Sequence, residues 1–103
     1  MKRFYVVGNP VSHSLSPKLF TYIFNTLNID AEYLTYMPTT SNELRSFLNN
    51  KMNKFSGLNV TLPFKVDSYH ILDQHDKLAS KIKSINCIKN EKNILTGYNT
   101  DYY

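Results

Sequence analysis

Lys65, Asp101 and a scattered set of serines, asparagines and one threonine are the side chains best suited to chemistry in this sequence. They fall in four groups. Ser12-His13-Ser14-Leu15-Ser16 follows the first apolar run, and Asn59, Thr61 and Lys65 surround Pro63. Asn86 opens one late apolar run, and Asn99-Thr100-Asp101 closes the next. Serine and threonine hydroxyls can donate to a carboxylate, and asparagine and aspartate can bridge ligand hydroxyls. A partly desolvated lysine beside an aspartate makes a proton-transfer pair. Gathered in one crevice, this inventory suits a small polyhydroxylated acid.

Each of these side chains also has a plainer use. Ser16, just before Pro17, reads as a helix N-cap. Ser14 suits a loop, Lys65 a solvated position, and Asn59 and Thr61 the wet side of a strand. Asn86 and Asn99 can satisfy turn backbone. His13, His70 and His75 have no metal-ligand spacing, so no metal is expected. Cys87, in an apolar run, reads as a small core residue. The arrangement as a whole, rather than any single residue, favours a site.

The elements that must position these groups alternate along the chain. Phe4–Val7 is a short apolar run stopped by Gly8, which suits a buried strand. Leu19, Phe20, Ile23, Phe24 and Leu27 form one helical stripe after Ser16-Pro17. Residues 31–37 are rich in strand formers and end at Pro38. Thr40-Ser41-Asn42-Glu43 fits a capping box, and Leu44, Phe47, Leu48 and Met52 continue it as a helix to about residue 53. Residues 57–62 alternate, with Leu58, Val60 and Leu62 on one side and Asn59 and Thr61 on the other. Residues 64–83 read as one or two short helices, the clearer around His75 to Ile82. Ile85–Lys89 and Ile94–Asn99 flank Asn90-Glu91-Lys92-Asn93, the pattern of a hairpin.

The order βαβαβαββ predicts an α/β fold. The expected sheet is mixed and mostly parallel, with about five to six strands and helices on both faces. Open sheets of this kind bind ligands at the carboxyl edge of their strands, where all four groups should land. With residues 90–93 as the turn, Asn86 faces Gly97 and becomes a neighbour of Asp101.

Composition narrows the function classes. The chain has 103 residues, 42% hydrophobic and 19% charged, which suits one packed domain. A single cysteine excludes an internal disulfide and a cysteine-based zinc finger. The three glycines, at 8, 57 and 97, form neither a GxGxxG turn nor a Walker loop. The net charge is +4, but Asp73, Asp76 and Glu91 interrupt the lysines of 77–92 and only two arginines occur, so no nucleic-acid partner is expected. The run Phe4–Val7 is shorter than the roughly 7–15 residues of a signal peptide. It is also shorter than the ~18 of a membrane span. No membrane association and a cytoplasmic location are therefore expected.

Four segments in order, Gly8-Asn9-Pro10-Val11-Ser12-His13-Ser14-Leu15-Ser16-Pro17, Gly57-Leu58-Asn59-Val60-Thr61-Leu62-Pro63-Phe64-Lys65, Ser84-Ile85-Asn86-Cys87 and Gly97-Tyr98-Asn99-Thr100-Asp101, resemble the substrate-binding domain of shikimate dehydrogenases. The match runs over nearly the whole chain. The resemblance implies NADPH-dependent reduction of 3-dehydroshikimate to shikimate, a step of aromatic amino-acid biosynthesis. It also implies roles. Ser14 and Ser16 would bind the substrate carboxylate, with Thr61 close by. Asn59, Asn86 and Asp101 would hold ring hydroxyls. Lys65 would be the catalytic acid/base, with Asp101 as its partner.

The family continues into a dinucleotide-binding domain and a C-terminal segment that completes the substrate site. This chain stops at Tyr103, with Tyr102 where many members carry glycine. Residues 1–103 are thus expected to be the substrate domain of a longer NADP-dependent enzyme. Alone, they would bind no cofactor and would not turn over. The face left by the missing domain would encourage self-association. The alternatives are the same domain of a quinate/shikimate dehydrogenase, or a stand-alone, non-catalytic metabolite-binding module.

Overall fold

The computed structural model describes residues 1–11, 14–50 and 54–100. Six strands and four helices alternate: β1 (Lys2–Val7), α1 (Ser16–Thr26), β2 (Ala31–Tyr36), α2 (Ser41–Asn49), β3 (Gly57–Val60), α3 (Lys65–Ile71), β4 (Gln74–His75), α4 (Lys77–Ile82), β5 (Cys87–Glu91) and β6 (Ile94–Tyr98). They form one mixed sheet of order β2-β1-β3-β5-β6-β4. β1 pairs parallel with β2 and β3, β5 runs antiparallel to β3 and β6, and β4 pairs parallel with β6. The α/β reading of the sequence holds. The two-residue β4 was not expected, because it is too short for alternation to show.

The sheet has two unlike faces, because successive side chains point to opposite sides. Val7, Leu58, Val60 and Ile88 point to one face and pack with Leu44 and Leu48 of α2, and with Leu72, Ala79 and Ile85. On the other face, Val6, Val11 and Tyr33 pack with Phe4 and with Phe20 and Phe24 of α1. Helices thus lie on both faces. Leu19 and Leu27, expected in the stripe of α1, are 56% and 64% exposed. The helix covers β1 and β2 through a narrow contact centred on Phe20 and Phe24, which leaves the flanks of its stripe in water.

Four local expectations need correction. First, Ser16 does not cap α1. The N-cap is Leu15, which makes no side-chain cap bond. Instead, the Ser16 amide donates to Ser14 Oγ at 3.3 Å. Second, β3 ends at Val60, and Leu62 is 70% exposed. The Thr61 amide donates to the Val7 carbonyl, and the Phe64 amide then turns back to the Thr61 carbonyl. That turn takes Leu62 out of the strand alternation. Third, α2 ends at Asn49 because Asn50 is extended; Met52 lies outside the described residues. At its start, Thr40 Oγ1 accepts from the Glu43 amide at 3.1 Å, while the Glu43 carboxylate reaches Thr39.

The fourth correction concerns the hairpin. Its turn is the two residues Lys92 and Asn93, both left-handed (φ 52° and 66°), as a tight hairpin loop requires. Glu91 therefore faces Ile94, and Gly97 faces Ile88 rather than Asn86. The slip is two positions, so every side chain keeps its face.

Candidate functional site

Backbone hydrogen bonds draw the predicted groups along one edge of the sheet. The Thr61 amide donates to the Val7 carbonyl at 2.8 Å, and the Asn9 amide to the Leu62 carbonyl at 3.1 Å. Val60 donates to the Asn86 carbonyl at 2.8 Å, Asn86 to that of Tyr98 at 3.0 Å, and Ile85 to that of Lys65 at 2.9 Å. The ends of β1, β3 and β6 and the start of β5 thus share this edge. The antiparallel direction of β5 is what brings Asn86 to it.

Ser14, Ser16, Asn59, Thr61, Lys65 and Asn86 are all half-buried on these elements. Such side chains are held by packing yet reachable from solvent. Ser14 and Ser16 stand at the amino end of α1, whose first turn carries no acidic side chain. The helix dipole favours an anion there. Lys65 is the first residue of α3. Asp101, Ser12 and His13 lie outside the described residues.

Asn86 reaches the last strand by its side chain as well as its backbone. Its Nδ2 donates to Thr100 Oγ1 at 2.9 Å, and its Oδ1 accepts from the Thr100 amide at 3.0 Å. That pair of hydrogen bonds to Thr100 is the plainer, turn-satisfying use of this residue. Asn99 is buried and donates to the Ser84 carbonyl at 3.1 Å, a purely structural contact.

Asn59 has the most informative partner. Its Nδ2 donates to the phenol of Tyr33 at 2.6 Å, and the Ser16 side chain lies within hydrogen-bonding reach of the same phenol. Burial pushes the Tyr33 hydroxyl above its ordinary value, opposed by these two hydrogen bonds. Burial likewise raises the Cys87 thiol. Cys87 is half-buried rather than core, and with Tyr33, Asn59 and Tyr98 it lines a cleft of about 540 Å³ on the α1 face. A smaller cleft of about 310 Å³, near Asp73 and Asn93, opens at the opposite edge and holds none of the candidate residues.

Tyr33 was missed by sequence reasoning. Two strands separated in the sheet by β1 cannot be seen to touch from their own patterns. The available signal was general: a phenol on the buried side of a strand needs a hydrogen-bond partner.

The sequence profile of the shikimate dehydrogenase substrate binding domain matches residues 6–88. The chain belongs to this family. A curated shikimate dehydrogenase (NADP(+)) from Thermoplasma acidophilum is 42% identical over 98 residues, 95% of this chain and 36% of that protein. The crystal structure of a shikimate 5-dehydrogenase from Thermus thermophilus in complex with shikimate superposes with a TM-score of 0.88 at 34% identity, covering 98% of this chain and 39% of that one. The same enzyme has also been crystallised with NADP(H) and shikimate together. This member of the shikimate dehydrogenase substrate-binding domain family therefore spans well under half the length of the relatives it matches. Among the described residues, no group of three or more metal-ligating side chains occurs, and no helix is long and apolar enough to cross a membrane.

Proposed function

We propose that residues 1–103 form the substrate-binding domain of an NADP-dependent shikimate dehydrogenase, which reduces 3-dehydroshikimate to shikimate. The observation that carries this reading is the convergence of Ser14, Ser16, Asn59, Thr61, Lys65 and Asn86 on one edge of a family-matched sheet. Ser14 and Ser16, at the amino end of α1, bind the carboxylate, with Thr61 beside them. Asn59, Asn86 and Asp101 hold the ring hydroxyls. As the ketone is reduced, the Lys65 ammonium stabilises charge growing on its oxygen and delivers the proton that makes it a hydroxyl. Asp101 keeps that ammonium charged and oriented.

The described residues do not fit the dinucleotide itself. A Cβ added at Gly8, Gly57 or Gly97 would meet Thr61, Phe4 or Ile85 of this same chain, so none of the glycines opens onto a phosphate. The dinucleotide's contribution is the hydride; this chain's is to hold the acid and move the proton.

Amide NMR with shikimate added tests the reading. Resonances around Ser14, Thr61, Lys65 and Asn86 should shift, and quinate should produce smaller shifts. Silence at millimolar shikimate refutes the proposal, and stronger shifts with quinate transfer the domain to a quinate-using enzyme.

A further inference from the structure

We propose that Tyr33 is a positioning residue whose buried phenol accepts from the Asn59 side-chain amide and sets the direction in which Asn59 presents its carbonyl oxygen to the ligand. This rests on the reading of the edge as a shikimate site. Tyr33 is only 7% exposed, and its ring stacks on Phe20 of α1 at 4.9 Å and 9°. A ring clamped between β2 and α1 cannot swing its hydroxyl away.

A phenol oxygen can accept while its single proton donates. Here it accepts from Asn59 Nδ2 at 2.6 Å. Burial keeps the phenol protonated and uncharged at neutral pH. One consequence follows. With Nδ2 engaged, Asn59 turns Oδ1 outward, which is what a ring hydroxyl requires. Without the phenol, the amide can flip, and the ligand must order it on binding.

The test is the Tyr33→Phe variant of this chain, which keeps the stacked ring and removes only the oxygen. The side-chain amide signals of Asn59 should move without ligand, and shikimate should bind about 3- to 10-fold more weakly. In an Asn59→Ala background the same substitution should weaken binding less, a coupling that a merely structural role would not produce. Wild-type chain gives an independent readout: the Asn59 amide protons should exchange with solvent more slowly than those of exposed Asn28. Exchange as fast as Asn28, or a Tyr33→Phe variant that binds shikimate as well as wild type does, overturns the positioning role alone. Wild-type chain that ignores millimolar shikimate overturns the functional reading, and the positioning role with it.

Discussion

Replacing Gly8 with alanine should destabilise the domain and disturb its ligand edge together. A Cβ at Gly8 would lie 2.4 Å from Thr61 Cγ2, 2.9 Å from Val11 Cγ1 and 3.0 Å from the Leu62 carbonyl oxygen. Carbon atoms prefer about 3.5–4.0 Å, so the closest of these contacts falls short by more than an ångström. The backbone has little room to retreat. The Gly8 amide is bound to the Tyr36 carbonyl at 3.2 Å, and the flanking Thr61–Val7 and Asn9–Leu62 bonds hold the two segments together. Overpacking of this kind costs roughly 1–3 kcal/mol. Gly8 has no positive φ, so alanine also restricts the unfolded chain, which offsets about 0.4–1 kcal/mol. A net loss of about 1–2 kcal/mol lowers the folding equilibrium roughly 5- to 30-fold. In urea, the midpoint should fall by about 1 M. Gly57→Ala is the matched control. Its nearest neighbours are 3.3 and 3.4 Å away, so its unfolding free energy should stay within about 0.5 kcal/mol of wild type. Equal behaviour of the two variants, or an unshifted Gly8→Ala midpoint, would refute the steric argument.

Core and pH predictions follow the same logic. Leu44 is fully buried in α2, so Leu44→Ala should cost about 2–5 kcal/mol. Leu19→Ala, on the exposed flank of α1, should cost under about 0.5 kcal/mol in the same urea titrations; comparable losses would return Leu19 to the core. The Tyr33, Tyr36 and Cys87 side chains are all pushed up by burial, from ordinary values of 10.0, 10.0 and 9.0. The folded chain therefore keeps protons that the unfolded chain releases. Their contribution is complete below about pH 9 and is lost as pH rises through 9 to 10 and beyond. Urea midpoints should fall across that window, and a flat or rising profile would contradict the assignment.

What the sequence determined by itself was local and periodic. Alternation and helical spacing place β1, β2, β3 and the α1 and α2 stripes because a side chain's face follows from its own element. The capping oxygen of Thr40 was legible for the same reason, since its partner lies three residues on. The candidate site residues could be named from their four segments, because the edge of an open α/β sheet is set by element order. Tertiary structure decided which elements neighbour each other and what covers each face. Strand order places β1 between β2 and β3, so the Tyr33–Asn59 bond crosses a strand that neither belongs to. The two left-handed residues Lys92 and Asn93 moved the hairpin register, and with it the partner of Asn86. Ser16 has the local signature of a cap, yet its side chain lies by the Tyr33 phenol, because a buried polar group from another strand is a competing partner that no local pattern encodes.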